Sequence, residues 1–187
     1  MSDRMTLAEE TYPGIGQLVN LAMERWHPDL WSKRVKVAVL MVDPPRNSDG
    51  LVTGPALKHA GAPCAGVCSV ASETIRVLCG VDAVIRIASD IWPDLGEDGQ
   101  LALLDHELEH LEIVDGQHRD ERPKLGMVQH DYVLAGFRSV IKRHGPAALE
   151  VMSARAVRER EPMLFDALDD PPAETIPMPR AAARSAT

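Results

Sequence analysis

The chain has 187 residues, 45% of them hydrophobic and only 4% aromatic, so any core must be built from Leu, Val, Ile, Met and Ala. A formal charge of -8 and a pI near 5.3 argue against general nucleic-acid or membrane-surface binding, which needs a positive footprint. Three cysteines make no disulfide framework. Neither a signal-peptide pattern nor an apolar run of roughly 20 residues stands out, so the expectation is a cytoplasmic protein with reduced thiols.

Residues 5–26 have a helical pattern that Pro28 bounds. "VKVAVLMVD", 35–43, is β-branched and apolar, with Val35, Val37, Val39 and Met41 alternating until Pro44-Pro45 halts it, and is read as a strand. Residues 44–66, rich in Gly, Pro, Asn and Asp, read as a long irregular connection. Residues 67–78 are compatible with a strand or a short helix. "VDAVIRIASDIW", 81–92, is a strand carrying Ala83, Ile85 and Ile87 on one face and Arg86 on the other. Glu97 to Val114 is predicted as a helix with an acidic first turn, ended by Asp115-Gly116. A polar loop over 116–126, a helix from Gln129 to His144 and another from Ala147 to Arg160 follow. The expected organisation is one domain over 1–160 and a disordered tail over 161–187, Pro-rich and polar from Asp169 onward.

Within the predicted central helix stands "LLDHELEH", containing the five-residue pattern His106-Glu107-Leu108-Glu109-His110. Two histidines four apart share a helical face and can reach one Zn²⁺. The Glu after the first is placed to act on water that the ion activates. With 7 His in the chain, chance supplies such a match on the order of 2% of the time, so context must decide.

Wound at about 100° per residue, Leu101, Leu104, Leu108 and Leu111 form a core stripe. Asp105, Glu109 and Glu112 cluster as a solvated surface. His106 and His110 share a third face flanked by Leu103 and Ile113. Glu107 stands apart from the three acids, which a solvated charge run does not explain.

A third ligand is needed, with His118, His130, His144 and nearby acids as candidates. Gly116 occupies the position where a metzincin places its third His, which excludes that class. His118 lies in a polar loop, where an exposed His is the simpler reading. Leu134, Phe137 and Ile141 follow His130 at helical spacing, placing it on the stripe the next helix buries and making it the preferred third ligand. Asp131 is an N-cap, an orienting group or a surface acid.

The order "RWHPDL", "VKVAVLMV", "AVIRIASDIW", "LALLDHELEH" and a downstream "QHD" resembles the phage and prophage-encoded metallopeptidases, small zincin-like proteins distantly similar to the SprT-like group. The resemblance covers roughly residues 15–145. It implies an α+β fold, a small zincin-like domain with a short sheet packed against the helix of the motif and the helices that follow. It further implies a metal site of His106, His110 and His130, with Glu107 as catalytic acid and base.

These readings make the chain a Zn²⁺-dependent peptidase acting on a protein or peptide. Tyr132 or His144 is a candidate donor to the developing oxyanion, and an extended substrate could pair with the edge of the 82–88 strand. Cys64, Cys68 and Cys79 could hold a structural zinc but lack paired knuckles, so free thiols are expected. Two other classes remain open. One is a metal-stabilised phage accessory factor that binds a protein without cleaving it. The other is a metal-free helical interaction module whose two histidines are surface residues.

Overall fold

The computed structural model describes residues 5–117, 122–130 and 136–160. In chain order the elements are β1 (Met5–Leu7), α1 (Ala8–Thr11), α2 (Ile15–Trp26), α3 (Pro28–Ser32), β2 (Val37–Val42), a small hairpin of β3 (Lys58–His59) and β4 (Ala62–Pro63), β5 (Gly66–Val70), α4 (Glu73–Cys79) and β6 (Ala83–Ala88). A 3₁₀ turn, Trp92–Leu95, leads into α5 (Gly96–Glu109). A second hairpin, β7 (Leu111–Gln117) and β8 (Pro123–Met127), precedes α6 (Arg138–His144), a 3₁₀ turn at Gly145–Ala147 and α7 (Leu149–Arg160). The compact unit that carries the site ends at Met152. The tail expected over 161–187 lies outside the described residues, and among those described no helix is long and apolar enough to cross a membrane.

This is an α+β architecture, as the sequence implied. The main sheet runs β1-β2-β6-β5, with β2 parallel to β6 and the two outer strands antiparallel to their neighbours. β6 is therefore central and hydrogen-bonded on both sides. The expectation that its edge receives a substrate is corrected: the edge strands of this sheet are β1 and β5.

Strand alternation explains the packing. Val39 and Met41 of β2, Cys68 of β5, and Ala83, Ile85 and Ile87 of β6 share one face and bury against Ile15, Val19 and Met23 of α2 and Leu103, Leu104 and Leu108 of α5.

Residues 66–79, ambiguous from sequence, divide into a strand and a helix at Ser72. Its side chain caps α4 by accepting from the Ile75 N–H, and Gly80 closes that helix with φ 68°. The pattern over 5–26 likewise begins with a strand, and β1 pairs with β2 from Met5↔Val42 to Leu7↔Leu40.

The largest correction concerns the central helix. It stops at Glu109, not Val114, and His110 is its C-cap. Leu111 continues the helical leucine phase, but Leu111 and Ile113 also alternate as strand residues, and both pack on the main core from β7. The alternation prevails because β8 supplies partners: Leu111↔Met127 and Ile113↔Leu125 pair, and the Val128 N–H donates to the His110 carbonyl at 2.8 Å. Gly116, with φ 103°, belongs to the hairpin rather than to a helix stop. Residues 123–126 of the expected polar loop are thus part of strand β8.

The helix expected from Gln129 is also corrected. His130 is in neither helix nor strand, 131–135 lie outside the described residues, and α6 starts only at Arg138.

Leu104 is fully buried between α2 and the sheet. Leu104→Ala should lower unfolding free energy by about 2–5 kcal/mol, read as a shift of the urea midpoint at unchanged m-value.

Candidate metal centre

α5 is buried on nearly every side at its C-terminal end, and three consecutive residues leave it in three directions. Asp105, His106 and Glu107 are 0%, 8% and 2% exposed.

Asp105 points at α2 and α6. Its Oδ1 accepts from His27 Nε2 at 2.7 Å and Arg143 Nη2 at 2.9 Å, while Oδ2 accepts from Arg143 Nε at 2.8 Å and His144 Nε2 at 2.9 Å. Burial raises its pKa, but the His27 and Arg143 bonds outweigh that and hold the carboxyl below its ordinary range. Arg143 also bonds Glu109, and the Trp26 ring meets His144 edge-on at 4.6 Å between centroids. The solvated acidic face expected of Asp105, Glu109 and Glu112 is therefore corrected. Asp105 is a buried anchor, Glu109 is half-buried on Arg143, and only Glu112 is exposed. His27, Asp105 and Glu109 have metal-like spacing, but the Arg143 guanidinium supplies the positive charge there. His144 is consumed by Asp105, which leaves it unsuited to a ligand or oxyanion role.

His106 and His110 leave the opposite flank, and His130 arrives from the segment after β8. One ligand atom from each of the three rings lies within 4.8 Å of the other two, and the Nε2 atoms of His106 and His130 are 3.0 Å apart. The other ring nitrogens are occupied. His106 Nδ1 is 2.8 Å from Glu150 Oε1, and His110 Nδ1 is 2.8 Å from the Val128 carbonyl oxygen. A carboxylate and a carbonyl only accept, so both Nδ1 atoms carry hydrogen, and each ring in its neutral form offers its lone pair at Nε2. Phe137 packs edge-on against all three rings, with centroids 5.3, 4.9 and 5.1 Å from His106, His110 and His130. It supplies the apolar wall expected of Leu103 and Ile113.

Desolvation and the neighbouring rings push His130 down to about 4, and desolvation lowers His110, so both are neutral near pH 7. Burial pulls His106 down as well, but Glu150, Glu107 and Asp105 prevail and raise it.

Glu107 turns towards the sheet edge. Burial pushes its pKa up to about 7 against the pull of His106, the Cys68 N–H and Arg86, and its Oε2 is buried without a partner. A β-carbon at Gly66 would collide with this carboxylate, so only glycine lets β5 pass so close. Three imidazoles and a nearby carboxylate with one unpartnered oxygen are a donor set that fits a divalent metal with an open position.

The cysteines are all free: Cys68 buried, Cys64 half-buried, Cys79 exposed. Among the described residues, neither cluster with metal-like spacing contains one. His118, Asp131, Tyr132 and Leu134 lie outside the described residues.

A family model described as "Putative phage metallopeptidase" matches residues 8–158. The chain belongs to that family. No curated protein and no solved structure matches the chain. For a phage metallopeptidase, a metal cofactor and a protein or peptide substrate follow from the family itself.

Sequence reasoning does not identify Glu150 or the His27–Asp105–Arg143–His144 network of this chain. Glu150 stood in a predicted helix with nothing to mark it. "RWHPDL" was noticed as a pattern, without its partner.

Asp105→Ala would leave Arg143 and two histidines facing a buried void. It should destabilise the protein by about 3–5 kcal/mol, measured by denaturant unfolding.

Proposed function

We propose that this phage metallopeptidase is a zinc-dependent peptidase of the cytoplasm, with His106, His110 and His130 as metal ligands and Glu107 as general acid and base. The convergence of three imidazoles, two of them oriented through their Nδ1 bonds, carries the reading. Three imidazole nitrogen donors favour Zn²⁺ among divalent ions of this kind. When bound, the ion supplies Lewis acidity that activates water and polarises a carbonyl.

The chain's own residues do the rest. His106 and His110 are held by α5 and its C-cap, so their separation is set by the helix rather than by a loop. Glu107 Oε2, buried and unpaired, is available to take a proton from the attacking water and return it to the leaving amine. Its environment holds the carboxyl near neutrality, where one group can serve both as base and as acid. An extended peptide would add to the free edge of β5, beside Gly66 and Cys68 and hence beside Glu107. Phe137 shields one side of the three rings from water.

Two observations favour this reading over the alternatives. A purely structural ion has no use for a buried Glu107 with one unpartnered oxygen. A metal-free module with surface histidines does not account for a buried His106 whose Nδ1 is held by a carboxylate.

Elemental mass spectrometry should find one zinc per chain in the wild type, none in His106→Gln or His130→Gln, and one in Glu107→Gln. Glu107→Gln should lower hydrolysis of an unstructured protein substrate by about 10²–10⁴-fold. A folded, zinc-supplied wild type without metal would refute the assignment.

A further inference from the structure

Of the two helical histidines, His106 alone rests on a charged partner. His110 is held by a peptide carbonyl, whereas Glu150 reaches His106 across 44 positions of sequence. The side chain of Glu150 is only 6% exposed, in the first turn of α7. Its Oε1 accepts from His106 Nδ1 at 2.8 Å and from the Phe137 N–H at 3.1 Å. The chain is shaped to admit it: a β-carbon on Gly136 would overlap the Glu150 side chain, so a glycine stands where the carboxylate enters. Burial alone would favour the neutral acid. The bonds from His106, its own backbone N–H and the Phe137 N–H outweigh burial and keep it ionised.

One oxygen, Oε2, is buried with no partner. A half-satisfied buried carboxylate lowers stability, and an apolar residue at 150 would avoid that cost. Packing therefore does not explain a Glu here.

We propose that Glu150 is a positioning residue for the metal centre: it fixes His106 as the Nδ1–H form, aims the Nε2 lone pair at the point shared with His110 and His130, and makes His106 the most strongly donating of the three rings. This rests on the zinc reading above. Its consequence is that the first turn of α7, far from the motif in sequence, sets how tightly the metal is held.

The test is zinc affinity by chelator competition for wild type, Glu150→Ala, Glu150→Gln and Glu150→Asp, with the absorption bands of the cobalt-substituted proteins as a report on ligand geometry. Glu150→Ala should weaken zinc binding about 10- to 100-fold and alter the cobalt bands. Glu150→Gln retains an oxygen able to accept from both His106 and Phe137, and should recover part of the loss. Glu150→Asp, one methylene short of His106, should behave like Ala and decides the matter should the Ala variant fail to fold. Wild-type affinity in Glu150→Ala or Glu150→Asp, or a loss that Gln does not reduce, would overturn the positioning role while leaving the three-histidine site intact. Failure of the wild type to bind zinc would overturn both.

Discussion

The structure turns on a carboxylate with no access to solvent. Asp105 is fully buried, and a lone charge in that position would be prohibitive. It is tolerated because Arg143 grips it bidentately and two histidines complete its oxygens. These partners come from the end of α2 and the end of α6, so one side chain of α5 sets the positions of two other helices. The arrangement admits little variation, since a partner that moves away leaves an uncompensated charge in the interior. Asp105 directly precedes His106, so whatever immobilises the former fixes the backbone of the latter.

From that anchor the site follows by helix geometry. Successive residues diverge by about 100°. With Asp105 committed to α2 and α6, His106 is directed at α7 and His130, and Glu107 at the edge of β5. Each direction ends in a fitted surface: Arg143 for the first, Glu150 for the second, the Gly66 backbone for the third. The helix is thus enclosed by polar as well as apolar contacts, and a simple division into core and solvent faces does not describe it. Phe137 is shared between two demands, walling the three rings with its side chain and holding Glu150 through its N–H.

Much of this was legible without coordinates where the information is local. β2 and β6 announced themselves by alternating β-branched residues, and α5 by its acidic first turn and leucines. The histidine pair and Glu107 were legible because the chemistry demands four-residue spacing on a helix, which primary structure records directly. The sequence places His130 on a helical stripe, whereas the structure has it outside any helix or strand, and its ring still comes to the other two. The burial of Asp105 was not legible. An acid among acids resembles a wet surface unless its partners, 78, 38 and 39 positions away, are known to be near.

By itself, then, the amino-acid order determined the two apolar strands and the helix with its paired histidines and Glu107. These depend on propensity, periodicity and short spacings, all of which act within a few residues. Tertiary structure alone decided that α5 stops at Glu109, that β6 is central with β5 at an edge, that Asp105 is buried, and that Glu150 stands behind His106. Each of these depends on a partner distant in sequence: strand β8, the order of the sheet, Arg143, and the opening at Gly136. Chain separation carries no record of such pairings, because it is the collapse of the core that brings the partners together.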